Sequence, residues 1–354
     1  MNEIEIQGHN VLEEVLSRVL IVDVDDIRPD LPMNGSRIDL VANIRAAGRP
    51  YRLLCEVLPN GQPRYVRHAL LRLREYAARA TSDIVPILIA PYFSPGTRAL
   101  CRQHRVGYLD FEGNILIAFG GVFIERQVTE RATTERRELK SLFKPKSARV
   151  LRAMLRAPER SWKVAELADA TGVSVGQVSN VRAGLLNREW AATTPDGIHL
   201  SQPGAVIDAW RDSYEGAAGE RRALYTTLHG ASLEKSARDV LGARDAERPA
   251  AAFASFSAAN WIAPYGRSAI QYFYATKVGY DRLTAALNLK PAPHGENVVI
   301  TLVGDDGVLA DTIEPVPGAV CTSPVQTYLD LTLAGERGEE AARHLREATM
   351  KWQP

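Results

Sequence analysis

Apolar positions along the first 128 residues alternate between two periods. Val11, Leu12, Val15, Leu16 and Val19 recur at helical spacing and predict an amphipathic helix over Asn10–Leu20. Two strands, Arg37–Arg45 and Pro50–Leu58, flank the Ala46-Ala47-Gly48 turn as a hairpin. Pro63 then opens a helix through Arg79, with Val66, Leu70, Leu73 and Ala77 on one face. The wholly apolar run Ile84–Ala90 reads as a strand buried on both faces. A helix over Pro95–Arg105 follows, and then Tyr108–Phe111, Asn114–Phe119 and Val122–Arg126 as three short strands. The order α, β, β, α, β, α and three strands predicts one α/β sandwich over residues 1–128.

Beyond it the pattern turns helical. A charged connector, residues 129–145, ends at Lys144-Pro145-Lys146, where a helix must break. Val150, Leu151, Met154 and Leu155 predict a helix over Ser147–Arg156, and Val164, Leu167 and Ala168 a second over Lys163–Ala170. In Thr171-Gly172-Val173-Ser174, Gly172 can end one helix with a positive φ and Ser174 can cap the next. The third helix, Val175–Asn187, would bury Val178, Val181, Leu185 and Leu186. Trp190–Thr194 and Ile198–Ser201 around Pro195-Asp196-Gly197 make a small hairpin. Two short helices at a tight turn, followed by a hairpin wing, are the pattern of a winged helix-turn-helix over residues 146–210. Residues 211–354 carry mixed signals: a strand Val298–Val303, a turn at Asp305-Asp306-Gly307, a returning segment Val308–Ile313 and a final helix Glu339–Met350. The expected fold class is thus multidomain α/β and α+β, with a mixed α/β C-terminal domain.

Composition adds that the 354 residues are 45% hydrophobic and 24% charged, as in ordinary globular chains. The longest apolar runs fall far short of the ~20 residues that span a bilayer. Met1-Asn2-Glu3-Ile4-Glu5 does not read as a signal peptide. Cys55, Cys101 and Cys321 lie far apart with no CxxC, so neither a zinc site nor a disulfide framework is expected, and a reducing cytoplasm is. The seven histidines are scattered, and no Walker loop, Ser-His-Asp order or HExxH occurs, so no cofactor or metal is expected.

Net charge is only +1, yet its distribution is uneven. Between Arg126 and Lys163 twelve basic residues face four acidic ones, a local balance of +8. Such a stripe beside a helix-turn-helix suits phosphate contacts. The DNA-binding candidates are Lys146, Arg149, Lys163, Ser174, Gly176, Gln177, Ser179, Asn180 and Arg182. Gln177 and Asn180 can bond adenine bidentately, Arg182 can meet guanine or phosphate, and Gly176 permits close approach. A solvated linker helix and a winged helix that contacts only proteins are the competing readings.

Asp39 on the first hairpin strand and Glu56 on the second resemble the PD-(D/E)xK nuclease superfamily, whose core runs helix, three strands, helix, strand. The resemblance implies a restriction-endonuclease-like N-terminal domain in which two carboxylates hold Mg²⁺ and a lysine assists the attacking water. Only two strands are clear before Pro63, and Leu58 stands at the lysine position, with Arg52 or Arg64 the nearest stand-ins. An inactive scaffold is the expectation, and if the domain is a nuclease its catalytic residues are Asp39 and Glu56.

Four stretches together resemble AbiEi-family antitoxins of type IV toxin–antitoxin systems, in their long form. They are Cys55-Glu56-Val57 with Gly61-Gln62-Pro63-Arg64; Gly107-Tyr108-Leu109-Asp110 with Gly113-Asn114; the winged helix; and Ser323–Leu331 with Gly335–Ala342. The resemblance implies a repressor that binds inverted repeats upstream of its operon and a C-terminal domain that neutralises a cognate toxin. The implied partners are double-stranded DNA and that toxin, with no membrane. A homodimer would match a palindromic operator. A metal-dependent nuclease, and a DNA-binding adaptor in phage defence or plasmid transfer, are the alternatives. Aromatics at Trp261, Tyr265, Tyr272, Phe273 and Tyr274 fit either a partner surface or a core.

Overall fold

A computed structural model describes residues 1–33, 36–79, 83–128, 133–243, 248–266 and 268–352, with backbone alone at 30–33, 36–37, 74, 77–79 and 134. Glu130 and Arg131 of the charged run lie outside the described residues, as do the side chains of Arg37 and Ala77. The chain is mixed α/β and forms two compact units, Met1–Glu138 with Leu185–Glu189, and Leu139–Gly184 with Trp190–Pro354.

The first unit runs α1 (Glu3–Ser17), β1 (Val22–Met33), β2 (Ser36–Ala46), β3 (Arg49–Val57), α2 (Pro63–Arg79), β4 (Ile84–Ala90), α3 (Pro95–Gln103), β5 (Gly107–Asp110), β6 (Ile115–Phe119), β7 (Val122–Arg126) and most of α4 (Thr133–Leu142). Among the described residues its sheet has seven strands in sequence order, with β3–β4–β5 parallel and the outer pairs antiparallel. Leu12 and Leu16 of α1 pack on one face with Leu40, Leu53, Ile87 and Ile89. Val66, Leu70 and Leu73 of α2 and Leu100 of α3 cover the other, against Leu54, Leu88 and Tyr108. The sheet is therefore sandwiched, and β4 is apolar throughout because both its faces are covered.

Strand β1 corrects the sequence reading, which found only two strands before Pro63. Its sequence, VDVDDIRPDLPM, holds Pro29 and Pro32 and four aspartates, which argue against a central strand. Among the described residues it is instead the sheet's edge, paired with β2 alone and bulged between Val24 and Asp26. A proline there can turn its missing N–H away from the ladder.

The second unit continues with α5 (Pro145–Arg156), α6 (Val164–Thr171), α7 (Val175–Asn187, to Gly184), β8 (Ala191–Thr194), β9 (Gly197–Leu200) and α8 (Pro203–Arg211). It goes on through β10 (Gly219–Tyr225), α9 (Gly230–Leu241), β11 (Ala251–Phe253), α10 (Ser255–Ile262), β12 (Gln271–Ala275), α11 (Lys277–Ala286), β13 (Lys290–Pro291) and β14 (Val298–Val303). It closes with α12 (Gly307–Ala310), β15 (Thr312–Ile313), β16 (Cys321–Thr322), α13 (Pro324–Thr332) and α14 (Gly335–Thr349). The mixed sheet is ordered β13-β10-β14-β12-β11-β16-β15, and its core gathers Phe253, Phe273, Leu283 and Ile300. Where the sequence predicted a returning segment at Val308–Ile313, the chain makes the short helix α12 and then the two-residue β15. Phe273 and Tyr274 are buried and Trp261 and Tyr272 pack on the same core, whereas Tyr265 is exposed.

All three cysteines are buried, and burial lifts their thiols well above the usual range, Cys101 to about 12. Among the described residues no helix is long and apolar enough to cross a membrane.

Candidate nucleic-acid interface

Helices α6 and α7 meet at a left-handed Gly172, whose φ of 64° only glycine adopts without strain. The Gln177 amide N–H donates to Ser174 Oγ at 3.4 Å, a long N-terminal cap. Val178, Val181 and Leu185 are buried. Ser174, Val175, Gly176, Ser179, Asn180 and Ala183 are exposed, so one face of α7 is open to solvent. After α7, β8 and β9 pair, and Trp162 adds a third short segment through reciprocal backbone bonds with Ile198 of 2.8 and 2.9 Å. Gly197 (φ 141°) is needed at that join, since a Cβ there would collide with the Trp162 carbonyl.

The structure redistributes the predicted contacts. Lys146 and Lys163 are exposed, with no ion pair among the described residues, as is Lys144. Arg182 is half-buried on the flank of α7. Gln177 is turned inward: its side-chain amide donates to Ser147 Oγ (2.8 Å) and clamps α7 to the start of α5. Base reading by Gln177 is therefore corrected to a positioning contact.

Arg149 is corrected as well. Its guanidinium bonds both carboxylate oxygens of Asp305 at 2.8 Å and Asp306 at 2.9 Å. One helical turn on, Arg152 is buried, its Nη1 donating to Gln326 Oε1 (3.1 Å), and Arg156 pairs with Asp311. Arg160 bonds Glu166 and lies 3.7 Å over the Trp162 ring. Three of the stripe's twelve basic residues, Arg149, Arg152 and Arg156, are thus tied to Asp305, Asp306, Gln326 and Asp311, all more than 140 residues away in sequence. The sequence shows where cations cluster but not which face of a helix meets the core.

Beneath α5 lies a buried polar network that the sequence reading missed. Asp330 Oδ1 accepts from Tyr214 Oη (2.7 Å), Tyr274 Oη (2.7 Å) and Gln326 Nε2 (2.9 Å). Burial pushes its carboxyl up to about 6, although those three donors pull the other way. The Ser323–Leu331 stretch is the inner helix α13: Ser323 caps it, Pro324 occupies its first turn, and Val325 to Leu331 are all buried.

In the first unit, Asp39 and Glu56 lie on β2 and β3. Asp39 Oδ2 accepts from the Val57 N–H (2.8 Å), and Glu56 is 1% exposed. Its Oε2 takes a 2.6 Å bond from Arg72 Nη2 of α2, while Oε1 is buried without a partner among the described residues. Burial, opposed by Arg72 and aided by Asp39, raises the Glu56 carboxyl to about 7. Leu58 is buried in the α2-side core. Neither Arg52 nor Arg64 but Arg72, sixteen residues on and beside the apolar stripe of α2, brings positive charge to Glu56. A Mg²⁺ site wants several oxygen donors and is opposed by a fixed cation. Two carboxylates with a guanidinium already on one do not fit it, and no group of three or more candidate ligands occurs among the described residues.

The other motifs of this unit are structural. Asp110 is buried and satisfied by the Phe93 and Asn114 amides and the Asn114 side chain. Gln62 donates to Glu135 (2.8 Å), which also accepts from Arg188 (2.9 Å).

No family model and no curated protein matches the chain. One solved structure, described as EndoMS in apo form, is similar over 29% of this chain at 13% identity and a TM-score of 0.22. The matched part spans 45% of that structure's own chain, and a likeness this low carries no argument.

Proposed function

We propose that this chain is a sequence-specific double-stranded-DNA-binding regulator that resembles the AbiEi antitoxins. In this reading α5, α6, α7, Trp162 and the β8–β9 hairpin form a winged helix-turn-helix, with α7 in the major groove. The observation that carries it is the outer face of α7, which is solvent-exposed, free of acidic residues and accompanied by the unpaired Lys146 and Lys163. The first unit, with its order helix, three strands, helix, strand, is read as a restriction-endonuclease-like scaffold whose Arg72 supplies the positive charge at Glu56. The C-terminal part of the second unit is the proposed seat of a toxin or other protein partner. A homodimer would give the two recognition helices that a palindrome needs.

A gel shift with the duplex upstream of the gene tests the reading. Lys146→Ala and Asn180→Ala should each weaken the complex, and absence of a complex, or indifference to both changes, counts against it. The competing reading, a Mg²⁺-dependent nuclease, is disfavoured by the Arg72 guanidinium on Glu56. Mg²⁺-dependent plasmid nicking that is lost in Asp39→Ala would overturn that exclusion. For the adaptor alternative, the neighbouring open reading frame decides, since an antitoxin is encoded beside its toxin.

A further inference from the structure

We infer that α7 reads A·T base pairs, with Asn180 bonding an adenine edge and Val175 covering a thymine methyl. This rests on the DNA-binding reading above and narrows its ligand. Successive residues of a helix are 100° apart, so the direction opposite the buried Val178, Val181 and Leu185 is centred on Gly176 and Ala183. Ser179 and Asn180 flank that line, about 50° to either side, and Val175 stands in the first turn at the edge of the face, about 90° from it. A Cβ on Gly176 would meet nothing within 4 Å, so the centre of the face is flat and lets the backbone approach the groove floor.

No lysine or arginine stands at the middle of this face. Guanine is most often read by Arg or Lys reaching O6 and N7 together. Arg182, the nearest cation on α7, is half-buried and lies about two turns beyond Val175, away from the first turns that enter the groove. Gln177, on the opposite flank, is committed to Ser147. The exposed groups left are an amide, a hydroxyl and an isopropyl. An amide forms a bidentate pair with adenine N6 and N7, and an isopropyl matches the thymine methyl that distinguishes T from C in the major groove. Val175 is 56% exposed, so its isopropyl is free to meet a methyl in the groove. The occupant is duplex DNA rather than protein, because α7 carries no acid and Lys146 is brought beside its first turn by the Gln177–Ser147 bond.

The test uses the full-length protein and a random-sequence duplex pool. The enriched site should fix adjacent A·T pairs. Replacing its thymine by uracil, which removes one methyl, should weaken the wild type about fourfold and leave Val175→Ala unaffected. Replacing its adenine by 7-deazaadenine should weaken the wild type about tenfold and barely change Asn180→Ala. Both side chains are exposed, and circular dichroism should show both variants folded. An enriched site fixed by G·C pairs, or indifference to uracil, overturns the inference. Salt-sensitive binding without enrichment overturns it alone and spares the DNA-binding reading; no binding to any duplex overturns both.

Discussion

Glu56 and Asp330 share one tension, a carboxylate taken out of water and only half compensated. For Glu56 the folded-state value is about 7 against an ordinary 4.5, so between those pH values the unfolded chain releases its proton first. Stability then falls as pH rises through that window, and the full deficit is present above pH 7. Glu56→Gln should therefore stabilise the protein at pH 8 by about 1–3 kcal/mol and leave it nearly unchanged at pH 4, measured by chemical denaturation at both pH values. Asp330→Ala should cost about 2–4 kcal/mol, because two tyrosine hydroxyls and the Gln326 amide lose one acceptor together. The sequence made Glu56 visible through its strand position. It hid Arg72 and Tyr214, because their partners lie 16 and 116 residues away and belong to no local spacing. Gln177 illustrates the converse: an amide on the first turn of a helix looks like a base reader until Ser147 is found against it.

At the scale of elements, helix α5 turns three arginines, spaced three and four residues apart, toward Asp305, Asp306, Asp311 and Gln326. Arg149→Ala should destabilise the protein by roughly 1–3 kcal/mol while leaving the salt dependence of DNA binding unchanged, the reverse of what a phosphate contact predicts. The Trp162–β9 join makes a sharper demand. Gly197→Ala should break the paired backbone bonds, and a rise in amide hydrogen exchange at Trp162 and Ile198 would report it. Helices and buried strands were legible in the sequence because their apolar period survives in a single segment, as in α2, β4 and α7. Strand β1 was not, because an edge strand needs apolar residues on one face only and tolerates prolines that a central strand excludes.

For the whole molecule, net charge +1 conceals an uneven account, since Arg149, Arg152, Arg156 and Arg160 of the basic run are matched internally. With Lys144, Lys146, Lys163 and Arg182 as phosphate contacts, the slope of log K against log salt should be about −4 per copy. A slope near −10 would require the full run to face DNA. Segments of differing period divide the sequence, but Leu185–Glu189, the last three residues of α7 and the two that follow it, group with the first unit, and no local pattern announces that. The buried thiols have a practical consequence. Cys55 and Cys101 lie in one unit and Cys321 in the other, each shut away from reagent in the native state. A maleimide added during gradual denaturation would tag two sulfurs when the amino-terminal half opens and one when the carboxy-terminal half does, so a mass spectrum of the labelled chain would tell which half opens first.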